Sequence, residues 1–132
     1  MATTLETFVA ALRGVTVAGV KRVFDAPPAS ISTADLPAFW VNSAGSREVP
    51  IARSSVSWPV HTAELFLVVT PVAQSTARQS FAGAVEYADR LRVALRAGDL
   101  AIGQATVAVR TEILGINEKS YWGVVASVEA SG

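Results

Sequence analysis

The single histidine, His61, has Glu64 three residues on, which raises the question of an acid–base couple. General acid–base chemistry needs both groups within reach of one proton. In an extended segment an odd spacing sends the two side chains to opposite faces, so this pair diverges. A lone histidine beside a strand reads as a surface or turn residue. Asp25 and Asp35 are the other candidates, as paired carboxylates. Their surroundings favour turns instead: Asp25 precedes Ala26-Pro27-Pro28, and Asp35 precedes Leu36-Pro37, where a carboxylate can bond nearby backbone amides. The glycines of "GDLAIG", 98–103, lack a phosphate-loop pattern and follow a helix where such a loop should open one. No serine stands in the context of a nucleophile elbow. There are no cysteines, which excludes disulfides, thiol catalysis and Cys metal sites; one histidine excludes His-pair motifs. The expectation is no catalytic, cofactor-binding or metal-binding residue, and no enzyme.

Three tryptophans remain. Trp40 and Trp122 stand in apolar strand patterns and read as core. Trp58, between Ser57 and Pro59, falls outside a clean strand and is the one expected at an interface, where tryptophan is enriched. Basic residues do not interleave with these aromatics as base-stacking sheets require.

The elements that would position these residues follow from periodicity. Residues 4–13 carry Leu5, Phe8, Val9 and Leu12 on one helical stripe, with Thr3 and Glu6 as a capping box and Gly14 as the stop. Short strands are expected at 20–25 and 38–42, separated by the proline-rich stretch "DAPPASISTADLP". The prolines end the first strand and hold the chain extended before the second. A polar loop with Gly45 is expected at 42–47, then strands at 49–56 and 61–70. Pro50 marks the former as an edge, and "ELFLVVT", apolar on both faces, marks the latter as central. Residues 76–97 form a helix with Phe81, Val85, Ala88, Leu91 and Leu95 inward, a Glu86–Arg90 pair, and Gly98 as its end. "ATVAVRTEI" and "YWGVVASVE" alternate with a period of two and form a hairpin through "GINEKS". Two helices then cover one face of a mainly antiparallel or mixed sheet, an α+β two-layer domain, with the other face partly polar and available.

Of 132 residues, 51% are hydrophobic and 17% charged, with formal net charge +0: one domain with a real core, residues 1–132, and no electrostatic footprint for nucleic acid or an anionic membrane. The N-terminus lacks a signal-peptide pattern, and no apolar run approaches the roughly 20 residues of a membrane span. A soluble protein made in the cytosol is expected.

The order of elements, the passage "VKRVFDAPPASISTADLPAFWV" and the closing "TEILGINEKSYWGVVASVEA" resemble the tail terminator (tail completion or neck) proteins of long-tailed bacteriophages, over most of the chain. The resemblance implies a virion protein assembled in the host cytoplasm. It implies a homohexameric ring on the head-proximal end of the tail tube, which stops tube polymerisation and offers the head-joining surface. The implied partners are further copies of the chain, the tail tube protein and the head-completion or connector proteins. DNA would pass through the lumen without specific binding, and no membrane or cofactor is involved. A ring needs two different surfaces per subunit. The residues expected at them are Arg47, Glu48, Arg53 and Trp58, with Arg110 and Glu112 on the polar face of their strand. Alternatives are another neck or tail component, such as a head-completion or tube protein, or a small ligand-binding α+β domain.

Overall fold

In the computed structural model the described residues are 4–50, 57–72, 77–97, 104–116 and 119–131. They form α1 (Leu5–Arg13), β1 (Arg22–Val23), a 3-10 turn (Thr33–Asp35), β2 (Ala38–Pro50), β3 (Ser57–Pro71), α2 (Ala77–Ala97), β4 (Gln104–Ile116) and β5 (Lys119–Ser131). The strands make one five-stranded mixed sheet in the order β1-β2-β3-β5-β4. β1 runs parallel to β2, and every other neighbouring pair is antiparallel. The class is α+β.

α1 forms where its stripe predicts, with Phe8 and Leu12 fully buried. Its cap sits one residue later than the expected Thr3–Glu6 box. The Thr4 hydroxyl accepts the Thr7 N–H at 3.1 Å, which satisfies one of the amides that the first turn leaves without a helical partner. Gly14 closes the helix by donating its N–H to the Ala10 carbonyl at 3.1 Å. In α2 the buried line is Ala84, Ala88, Leu91 and Leu95. Phe81 and Val85, expected on that line, are 49% and 42% exposed. Ala84 occupies the inward position, and Phe81 stands at the flank, with its ring edge-on to Trp122 at 5.8 Å. Gly98, expected to end α2, lies outside the described residues.

The largest correction concerns the middle of the chain. The expected loop at 42–47 is strand: β2 runs unbroken to Pro50 and pairs along that length with β3. A β-bulge between Val41 and Ser43 explains the misreading. One extra residue reverses the inside–outside alternation, so a period of two fails at Asn42 although the ladder continues. Of the strand expected at 49–56, residues 49 and 50 end β2, and 51–56 lie outside the described residues. The strand expected at 61–70 is longer, Ser57–Pro71, and is central as anticipated, with β2 on one side and β5 on the other. The strand expected at 20–25 shrinks to Arg22–Val23. The closing hairpin is present and ends on the pair Ile116 and Lys119.

Side chains alternate across the sheet, and each face builds a core. On the first face stand Phe39, Leu65, Leu67, Val124, Ala126 and Val128, which belong to one buried cluster that also holds Phe8, Leu12, Leu91 and Leu95. On the second face Trp40, Val68, Val125 and Tyr121 pack with Leu114, Ile31 and Leu36. Ile31 and Leu36 come from the proline-rich stretch, which is therefore a cover over half of the second face. Phe24 and Phe66 complete it, each ring edge-on to Trp40 at 6.0 Å. Trp40 is core, as expected; Trp122 is only partly buried, at the flank beside Phe81.

Candidate interaction surface

The second face is apolar only where the stretch covers it. Further along the strands the same face turns small and polar. Across β2, β3, β5 and β4 the rows read Ser43, Glu64, Ser127, Ala108 and then Gly45, Thr62, Glu129, Thr106. These rows line an open concavity of about 550 Å³. It presents four hydroxyls, two carboxylates and, at its rim, the Arg47 guanidinium, which donates to Glu129 Oε1 at 3.2 Å across the intervening β3. Both partners are about half exposed, so the pair is worth on the order of 0–1 kcal/mol. These groups hydrogen-bond and pair ions.

The residues expected at an interface are distributed as follows. Arg47 and Glu48 are exposed on β2. Arg110 and Glu112 are exposed on β4 and paired with each other, Nε to Oε2 at 3.1 Å. Arg53 lies outside the described residues. Trp58 falls inside β3, so the expectation that it stands outside a strand is corrected, and its side chain is outside the described set. The structure thus spreads Arg47 and the Arg110–Glu112 pair over two different strands, β2 and β4.

Those two strands also bound the sheet. β1 pairs with β2 only at Ala38 and Phe39, and among the described residues nothing pairs with β2 on that side from Trp40 to Pro50. β4 is the other terminal strand, with no described strand on its outer side. Each of these edges exposes a row of backbone N–H and C=O groups.

Of the residues first considered for chemistry, His61 is buried and the two aspartates are not. His61 is not at the surface: it is 4% exposed on β3, its Nδ1 is 2.6 Å from the Ser46 hydroxyl, and its ring stacks on Phe8 at 5.8 Å. It points to the first face and Glu64 to the second, as the odd spacing requires. Asp35 faces Arg22 at 3.7 Å, and in its 3-10 turn it is Ser32, not Asp35, whose side chain accepts a backbone amide, that of Ala34 at 3.3 Å. The Asp25 carbonyl accepts from Arg13 at 3.4 Å. Among the described residues no three His, Asp or Glu side chains gather as a metal site, and no helix is long and apolar enough to cross a membrane.

Sequence reasoning missed the concavity, although a signal was available. A period of two is present in "VHTAEL", where Val60, Thr62 and Glu64 alternate with His61, Ala63 and Leu65. Comparison with protein-family models and with curated proteins finds no match for this chain.

Proposed function

We propose that this chain is a structural, non-enzymatic subunit of a phage tail, of the terminator type, whose two helices cover one face of the sheet and whose copies close into a ring on the head-proximal end of the tail tube. The observation that carries the proposal is the pair of open sheet edges. Cyclic assembly is head to tail, so each subunit must offer two different surfaces that fit each other. A sheet whose backbone is, among the described residues, unpaired along 40–50 at one end and along β4 at the other has two such surfaces, on opposite sides of the sheet. A hexamer is the stoichiometry that the family resemblance implies. The polar half of the second face, with Arg47 at its rim, supplies a further surface for the tube protein or the connector, which accords with wet, polar contacts between separately folded partners. The chain acts in the virion and needs no cofactor.

Deleting the gene and imaging the particles tests this. The expected result is overlong tails without heads, restored to normal length when the chain is supplied in trans. Tails of normal length that lack heads would instead point to a head-completion subunit. Normal, headed particles would overturn the proposal.

A further inference from the structure

β4 is regular along its whole pairing with β5, Gln104 to Ile116, with no register shift. Natural edges are blunted by bulges, prolines and charge; β4 has neither of the first two within its span. Its charged residues are Arg110 and Glu112, both on the second face. On the first face an apolar patch adjoins them. Ile113 is 50% exposed and stands opposite Trp122, whose ring meets that of the exposed Phe81. Val85, also exposed, lies one helical turn beyond Phe81. Tyr87 and Arg90 donate to the carbonyls of Gly19 and Ala18, which ties the other flank of α2 to the segment after α1. Phe81 and Val85 are left on the flank beside the β4 edge. Large apolar side chains gathered in the open beside an unprotected strand mark a contact surface.

We propose that β4 pairs antiparallel with the β4 of a second copy of this chain, about a two-fold axis at Thr111. Occupant and register both come from the strand itself. A two-fold axis normal to the sheet sets the same edge of two copies antiparallel, and residues directly opposite share a face, so the axis passes through a residue. An axis at Arg110 sets that arginine against its own copy, and an axis at Glu112 sets two carboxylates together. An axis at Thr111 sets Arg110 opposite the second copy's Glu112, and Glu112 opposite the second copy's Arg110. No other register opposes the two charges. This one pairs 106–116 with 116–106, within the strand throughout. On the first face it sets Ile113 opposite the second copy's Val109, a cross-strand pair of β-branched side chains beside the axis. α2 packs on β4 and β5. With strands about 4.8 Å apart, a helix seated midway over them runs about 10 Å from its copy, the spacing of packed helices, so Phe81 and Val85 are covered as well. Exposed ion pairs contribute little; Arg110 and Glu112 choose the register, while the ladder and the apolar patch hold it. Zero net charge leaves little repulsion between copies.

The inference rests neither on the ring nor on the phage tail. The ring uses the same edge, so pair and ring exclude each other at β4, and the pair is the form of the free chain before assembly. The chain has no cysteine, so a single introduced one reports the axis. In the full chain Thr111→Cys should form an intermolecular disulfide under mild oxidation, because residues at the axis stand about 4.5–5.5 Å apart between Cα atoms. Ala108→Cys, exposed on the same strand and about 20 Å from its copy, should not. Mass measurement over a concentration series should give a dimer. Arg110→Glu and Glu112→Arg should each weaken it about tenfold, and the double exchange should restore it, with circular dichroism unchanged throughout. A chain that stays monomeric at high concentration overturns the inference. So does a dimer that Thr111→Cys does not cross-link, or one that the double exchange fails to restore. Larger assemblies that form without a dimer overturn it too and leave the ring reading standing. The tail-deletion phenotype is independent of these outcomes, so either proposal can fail without the other.

Discussion

Leu36→Ala tests whether the proline-rich stretch is a structural cover. Leu36 is 6% exposed and packs in the second core with Ile31, Trp40, Val68 and Tyr121. The substitution removes about three buried carbons at about 0.8 kcal/mol each, and the vacated space adds a penalty that depends on how far the segment settles. The cover is a single layer of chain and can relax toward the sheet, so the expected loss is roughly 2–3 kcal/mol, near the lower end for buried leucines. For a chain of this size that is a fall in Tm of about 10 °C. Urea denaturation followed by tryptophan fluorescence measures it, and Trp40, inside this core, serves as a local reporter. Asp35→Ala, one residue away, is the control. It removes a 3.7 Å contact to an Arg22 side chain that is 56% exposed, worth less than about 1 kcal/mol. If Leu36→Ala unfolds within about 0.5 kcal/mol of the parent, or if Asp35→Ala costs more than Leu36→Ala, the stretch is not a core element and its acid matters for another reason.

Gly123→Ala should cost about 1–3 kcal/mol in the same denaturation assay. A Cβ there would stand 2.7 Å from Leu114 Cδ1 and 2.8 Å from the Leu67 carbonyl oxygen of the adjacent β3, and a backbone oxygen inside a ladder cannot easily move. Ser46→Ala removes the hydroxyl 2.6 Å from the buried His61 ring and should cost about 1 kcal/mol, read as a shift in midpoint at unchanged m-value. Thr4→Ala deletes the α1 cap and should cost about 1 kcal/mol, with faster amide exchange in the first turn of α1. Arg47→Ala should leave folding stability within about 0.5 kcal/mol, because its pair with Glu129 is exposed, while weakening association measured by sedimentation.

Both helices and the closing hairpin were legible because their patterns are local. Leu5, Phe8, Val9 and Leu12 repeat at helical spacing, and Trp122, Val124, Ala126 and Val128 repeat with a period of two. The β2 strand was not legible, because the bulge at Asn42 reverses its alternation and because Ser43, Gly45 and Arg47 face a half-sheet without an apolar cover. A polar strand on such a face carries the composition of a loop. The second core was hidden for a different reason. Ile31 and Leu36 are isolated apolar residues in a turn-rich segment, and only the tertiary fold brings them over Trp40. His61 was misplaced to the surface because nothing in its neighbours announces Ser46, fifteen positions away, as its partner. Of the expected interface residues, Arg110 and Glu112 were correctly assigned to one strand face, whereas the idea of a loop around Arg47 gave way to a strand edge.

The second core has a mechanical consequence. β3 alone spans about 50 Å and α2 about 32 Å. One end of this plank is clad on both sides, by the core of Phe8 and Leu91 and by the cover of Ile31 and Leu36. Among the described residues, the other end, past Asn42 and Glu64, is clad on one side only. A beam gripped that way is a cantilever, and bending concentrates where the second grip stops. That line falls at the Asn42 bulge, and bulges bend a strand and raise its local twist. The first core runs on past that line through Ala63, Val128 and Ala130, so it is the second core alone that ends there. In the ring proposed above, bending at that line would let each copy take up small errors in curvature at its own edge instead of passing them to its neighbour.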